Sequence, residues 1–322
     1  QSTGAPGEEV EVRIRGNGTI GNNNPLYIID GVPSREISFL NPSDIKSMSV
    51  LKDAAAASIY GSRAAGGVIV IETKSGSDRS GFQIDYFGGL QKVTNLPNML
   101  NADQYLNTVT TAWNNAGYSG TNPYLADAGR SDFADVDYLD ELFELGKTNS
   151  VQLSTSGGNE KTNFFLSAGY YGQDGIVVYD NDKFNRLNLR SNINSNVTNR
   201  IKVGANVQIS YEQQDKISSK GDAPGIIRHA FLRPPIIPVY KNPSDPTYSE
   251  EDPFTDLPFY VDPDNFESNK YEYSQNPIAL AYFTDNTTRT FKTFGNLFAE
   301  YQILSDNSLK FKTNFGADIN FG

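Results

Sequence analysis

Cysteine is absent from all 322 residues, which excludes a disulfide framework, a zinc-thiolate site and a thiol nucleophile together. Histidine is almost absent. The single His229, in GIIRHAFLRPP, leaves no room for a Ser-His-Asp triad or a multi-histidine metal site, and its neighbourhood suits a loop or packing role. Positive charge is scarce as well: 27 Lys and Arg stand against 38 Asp and Glu, a net charge of −11. No broad basic surface for nucleic acid follows from that balance. An apolar run of the roughly 18 residues that a transmembrane helix needs is also missing. That absence leaves a membrane barrel open, because barrel strands alternate lipid-facing and lumen-facing residues and keep overall hydropathy low. The opening QSTGAPGEEVEV has neither the basic nor the apolar character of a secretory leader, so the chain reads as one cut at its front.

What is present begins with SVLKDAAAASIYGSRAAGGVIVIETKSG, residues 49 to 76. Its glycine-rich turn invites a phosphate-binding reading. However, Gly61, Gly66 and Gly67 follow a helix-length block and precede a strand, whereas phosphate loops follow a strand and open a helix. Asp53 suits an N-cap for a helix through the four alanines to Tyr60, with Gly61 just past its end. The stretch therefore reads strand, helix, tight turn, strand. Ahead of it, VEVRIRG reads as a strand, PLYIIDGVP as a strand entering a turn, and NPSDIKSM as a short helix begun by Asn41 and Pro42.

After KSGSDRSG the texture changes to long alternating strands. Ile201, Val203, Ala205, Val207, Ile209 and Tyr211 form an apolar set whose interleaved partners are Lys202, Gly204, Asn206, Gln208 and Ser210. Similar runs occupy 82–90, 150–157, 162–171, 187–197, 290–303 and 309–321, seven strands of about ten residues in all. Short polar turns at 157–161, 196–200 and 305–308 alternate with long segments at 91–149, 172–183 and 212–289. A soluble sandwich shares the period of two. Short turns on one rim and long loops on the other favour a transmembrane barrel. In the long segments, residues 101–117 read as a helix capped by Asn101 and closed by Gly117, and 212–289 as a solvated, irregular loop rich in acids. Asp135, Asp137, Asp140 and Glu141, and Asp262, Asp264 and Glu267, supply oxygens for calcium without EF-hand spacing, and a solvated acidic loop is the favoured reading. Adjacent Glu250 and Glu251 give no control over carboxylate separation, so glycoside hydrolysis is not expected. Tyr170, Tyr171, Tyr211, Phe291 and Tyr301 sit near strand ends, where interface girdles form.

RIRG (13–16), YIIDGVP (27–33), SVLKDA (49–54), IYGSRAAGGVI (59–69) and the closing TKSG together resemble the plug domain of the SusC/RagA group of TonB-dependent outer-membrane transporters of Bacteroidota. The resemblance implies an α+β plug domain over residues 1–78, lacking its N-terminal part. Antiparallel transmembrane β-barrel strands would follow over 79–322, with long extracellular loops near 91–149 and 212–289. About seven of an expected 22 or so up-and-down strands would be present, so the chain is expected to be a piece of a longer one. It further implies active import of an oligosaccharide or peptide with a SusD-like surface lipoprotein. The TonB protein would act through an N-terminal box absent from this chain, outer-membrane lipid would surround the wall, and neither cofactor, metal nor enzymatic activity is expected. The alternatives are a structural or adhesive barrel whose plug never moves, and a partly folded client of barrel assembly. Ligand-binding residues are not identified.

Two structural expectations follow. Arg13, Arg15 and Arg63 lie in segments with few other charges, and Asp30, Asp53 and Glu72 are the nearest acids, so at least one Arg–carboxylate contact is expected among them as a plug charge network, structural or gating. The odd positions of the later strands should face lipid and the even ones the plug. Lys at Val207 should then be harmful and Lys at Gln208 mild.

Overall fold

The computed structural model describes residues 5–8, 12–14, 24–51, 58–76, 80–120, 122, 124–125, 128–129, 131–217, 225–255, 274–304 and 308–322. Two sheets organise them. The smaller contains β1 (Leu26–Ile29), β2 (Val32–Ser34), β3 (Ile45–Leu51) and β4 (Val68–Thr73) in the order β2-β1-β4-β3. β1 runs parallel to β4, and the other pairs are antiparallel. Asp30 (φ 49°) and Gly31 (φ 86°) make the two-residue hairpin between β1 and β2, a turn that needs left-handed backbone at both positions. Ile29, Phe39 and Ile71 are buried in its core.

The expected start of a strand in VEVRIRG is not one where it is described: Val12 to Ile14 have no strand pairing, and Val12 and Ile14 pack on that core instead. The short helix in NPSDIKSM is a single 3-10 turn, Pro42–Asp44, capped by the Asn41 side chain on Ser43 N. Its chain then enters β3 directly. The alanine helix expected after Asp53 lies outside the described residues. Its continuation, Ser58–Ala64, is 3-10 backbone broken at Gly61, where φ is 67°.

The larger sheet holds β5 (Gly81–Gln91), β6 (Gly146–Gly158), β7 (Thr162–Asp174), β8 (Lys183–Asn196), β9 (Ile201–Asp215), β10 (Thr287–Gln302) and β11 (Lys310–Phe321). Every strand pairs antiparallel with its sequence neighbour, in the order β11 to β5, as the tight turns after β6, β8 and β10 require of their hairpins. Short turns lie at one rim, and the long segments rise from the other.

Those long segments are not an irregular loop where they are described. α1 (Ala102–Asn115) is capped by Asn101 as expected, through a capping box completed by Gln104, with Gly117 beyond its end at φ 72°. α2 (Tyr138–Leu142), α3 (Ile226–Leu232) and α4 (Pro277–Phe283) share a core with Val177, Val239 and Phe254. Apolar residues scattered through an acid-rich stretch find one another across the rim, which local composition hides. His229 is buried in α3 and accepts a bond from Gln275 N at 3.1 Å. Asp137 caps α2, and Asp135 accepts from Ala102 N at 2.7 Å at the start of α1. These carboxylates serve helix ends, while Asp262, Asp264 and Glu267 lie outside the described residues. Among the described residues, no helix is long and apolar enough to cross a membrane.

Candidate functional site: the seam between the two sheets

The small sheet lies against one face of the large one, and the alternation of β6 to β11 decides what it meets. Gln152 and Ser167 reach Asp44, donating to its two carboxylate oxygens at 3.1 and 2.9 Å. Asn41 donates to Gln152 Oε1 at 2.5 Å. Gln208 donates to Phe39 O at 2.6 Å, and Asn188 donates to the same carbonyl. Arg190 donates to Lys74 O at 2.7 Å and to Thr73 Oγ1. Asn206 donates to the Asp30 carboxylate, and Asn296 to its backbone oxygen at 3.2 Å. Farther along, Lys292 pairs with Glu36 and lies 3.4 Å from Asp318, which also accepts from Ser34 Oγ at 2.9 Å.

Apolar contacts across the seam are few by comparison. Phe39 and Phe294 stack with centroids 5.2 Å apart, and Lys292 Nζ lies 4.3 Å from the Phe39 ring centroid. Val32 of β2 approaches β11 at Gly316, where a Cβ would stand 2.8 Å from Val32 Cγ2. Each hydrogen bond of the seam can be exchanged for one with water and contributes about 1 kcal/mol, or about 1.5–3 kcal/mol where a charged group takes part. The seam is therefore specific in register, and its polar groups can be taken up by water when it opens. Burial raises the Asp44 carboxyl above its ordinary value, opposed by the Arg190 charge and the bonds from Ser167 and Gln152. Its charged form is costly where it sits.

Two acids of the expected charge set, Asp30 and Glu72, have other described partners. Asp30 accepts from Thr73 N at 2.9 Å and Thr73 Oγ1 at 2.5 Å. Glu72 is exposed, accepts from Ser47 Oγ at 3.1 Å and lies 4.0 Å from Lys46. Arg13 and Arg63 are exposed. Among the described residues, neither Asp30 nor Glu72 pairs with Arg13 or Arg63; Arg15 and Asp53 lie outside those residues. The arginine that does approach Asp30 and Asp44 is Arg190, from the wall. Its inward parity was legible in the alternation, but its partner on the small sheet was not.

The opposite face is apolar and open. Leu187, Leu189, Leu297 and Phe315 are 54%, 56%, 55% and 72% exposed. Register places Tyr86, Val151, Tyr170, Leu187, Tyr211, Phe291 and Phe321 in one cross-strand row near the long-segment rim. The next row outward is Gly88, Asn149, Gly172, Asn185, Gln213 and Arg289. Tyr170 Oη donates to Asn185 Oδ1 at 2.7 Å, so the ring sits among apolar neighbours with its hydroxyl in the polar row. From Ile201 to Tyr211 the strand runs about 33 Å, which at a barrel's usual tilt is an apolar band about 25 Å tall. Tyr301 faces outward at the other end. Tyr171 does not belong with these aromatics: it points to the seam side, beside Phe184 and under Arg186.

Residues 1–68 match the family described as TonB-dependent Receptor Plug Domain. The chain is 31% identical over 320 residues to TonB-dependent receptor P3 of Formosa agariphila, covering 97% of this chain and 28% of that one. It is 27% identical over 338 residues to TonB-dependent receptor SusC of Bacteroides thetaiotaomicron, covering 98% and 31%. The solved RagAB peptide importer in its closed-closed state matches with a TM-score of 0.72 at 27% identity, over 96% of this chain and 36% of that chain. The chain thus spans 28 to 31% of the length of these two curated relatives.

Proposed function

The chain is a plug and seven wall strands of a SusC/RagA-type TonB-dependent receptor, and from that premise we propose that it serves energy-dependent import of an oligosaccharide or peptide across the outer membrane. The observation that carries the reading is the seam. A small sheet is held in register against a polar wall face by bonds that water can replace, while the other wall face is an open apolar band with a row of mostly aromatic residues near its edge. A static strut has no need of so polar an interface, whereas a plug that must leave its seat and return does.

In this reading the apolar band meets outer-membrane lipid, and the plug occupies residues 1–78 within a wall that starts at 79. The long segments face outward, where a SusD-like surface lipoprotein closes over them. TonB of the inner-membrane complex drives the plug from its seat. Of the set Arg13, Arg15, Asp30, Asp53, Arg63 and Glu72, Asp30 contributes to holding and releasing the plug through its contacts with the wall. The test is uptake of labelled oligosaccharide and oligopeptide mixtures by cells with and without the gene, each with and without an uncoupler of the proton gradient. Gene-dependent, uncoupler-sensitive uptake is expected. Uptake that ignores both would sink import and leave the structural barrel.

A further inference from the structure

At the long-segment rim, three stretches distant in sequence meet in one aromatic pile: Tyr179, Tyr240 with Phe254, and Tyr282 with Phe283. Ring centroids of Tyr179 and Tyr282 are 5.1 Å apart and nearly perpendicular, those of Tyr240 and Phe254 5.5 Å, and those of Tyr282 and Phe283 5.1 Å. The Tyr179 and Tyr240 hydroxyls are hydrogen-bonded at 3.0 Å. Phe254 is buried beneath, whereas the other four rings keep 38 to 55% of their surface exposed.

The pile is held in place. Tyr179 (φ 73°) and Asp180 (φ 58°) both adopt left-handed backbone, which a bulky side chain takes only when its surroundings impose it. Asn181 Nδ2 donates to Ala281 O at 2.7 Å, tying this turn to α4, and Asp182 accepts from Ile176 N at 3.1 Å on its other side. Such a display presents fixed ring faces at little further loss of side-chain freedom.

Aromatic faces carry the negative end of the ring quadrupole and attract cations. Elsewhere in the molecule the protein supplies those cations itself, as Arg233 does over Tyr138 and Lys312 over Phe298. Among the described residues, none lies over the five rings of the pile. The adjoining α2 carries exposed Asp140 and Glu141, and the charge of Glu141 reaches Tyr179. These carboxylates favour positive cargo at this face and repel negative cargo. A neutral glycan would gain ring stacking and nothing from the charge.

We propose that the face made by Tyr179, Tyr240, Tyr282 and Phe283 is a ligand-contact subsite for basic oligopeptides, receiving a Lys or Arg side chain. The inference rests on the import reading for its biological sense, but binding tests it separately. The experiment measures binding of three probes to the full-length protein: a short Lys- and Arg-containing peptide, its Glu-containing counterpart and a neutral oligosaccharide. Tyr179→Gly removes the ring while suiting the left-handed backbone, and Tyr282→Leu keeps apolar packing in case the first variant folds poorly. Each should weaken the basic peptide about three- to tenfold, and added salt should weaken it further. Unchanged affinity in both variants overturns the assignment. So does an equal loss for the glycan or acidic peptide, or a loss confined to a protein partner. Uptake of a neutral glycan without basic-peptide binding removes the ligand class and leaves import standing. Basic-peptide binding at this face without any uptake does the reverse.

Discussion

Asp30 ties the small sheet to itself and to the wall. Its backbone turns the β1–β2 hairpin, its carboxylate takes Thr73 N and Oγ1 from β4, and Asn206 and Asn296 reach it from the wall. Asp30→Ala removes the bonds that Thr73 and Asn206 make to the carboxylate, keeps the one from Asn296 to the backbone oxygen, and leaves an alanine in left-handed backbone, so it should cost about 2–4 kcal/mol locally. Hydrogen exchange at the Thr73 amide should accelerate accordingly, and unchanged protection would show that the node is decorative. Asp182 is a second informative carboxylate. Burial pushes it from 3.8 up to about 6, against the bonds it accepts from Val177 and Ile176 N–H. A folded value above the unfolded one means that its stabilising contribution is complete below about pH 4 and lost as pH rises through 6. Asp182→Asn should flatten that slope and stabilise the protein by about 1–3 kcal/mol at pH 7.5. Denaturation curves of wild type and variant that stay parallel from pH 4 to 8 would rule this out.

At the scale of elements, the alternation of the later strands made their positions, pairing and faces legible, because one period of two fixes both which residues share a face and which face is polar. It did not disclose how deeply each inward residue is covered. Gln208 is the instructive position. The expectation that Lys would be tolerated there treated the inward face as uniformly wet, yet Gln208 is buried and bonded to Phe39 O. The tolerant inward position is Gln83, which is exposed on β5. Lys at Val207 should therefore cost about 2–4 kcal/mol in a bilayer and Lys at Gln83 little, as measured by unfolding from liposomes. Similar costs at both positions would mean that the apolar face does not meet hydrocarbon. The cap formed by α2, α3 and α4 stayed illegible for a different reason: its core draws single apolar residues from segments more than a hundred positions apart, and no local period records that.

Considered whole, the molecule is two bodies whose separation is the reading's central demand, and the chain's lack of cysteine makes that demand directly testable. Val32 on the small sheet and Gly316 on β11 face each other so closely that a Cβ at 316 would stand 3.5 Å from Val32 Cβ, within the range a disulfide spans. With no native cysteine present in this chain, Val32→Cys with Gly316→Cys would place a pair here with no competing thiol among these 322 residues. The oxidised double variant should hold the plug in its seat while leaving the long-segment rim, and hence ligand binding, unaltered. Uptake should fall to the level seen without the gene and return on reduction, whereas the Val32→Cys single variant should transport normally. Full uptake by the oxidised, demonstrably crosslinked protein would mean that cargo passes without this part of the seam opening. The path would then have to run beside β3, the edge of the small sheet farthest from β2.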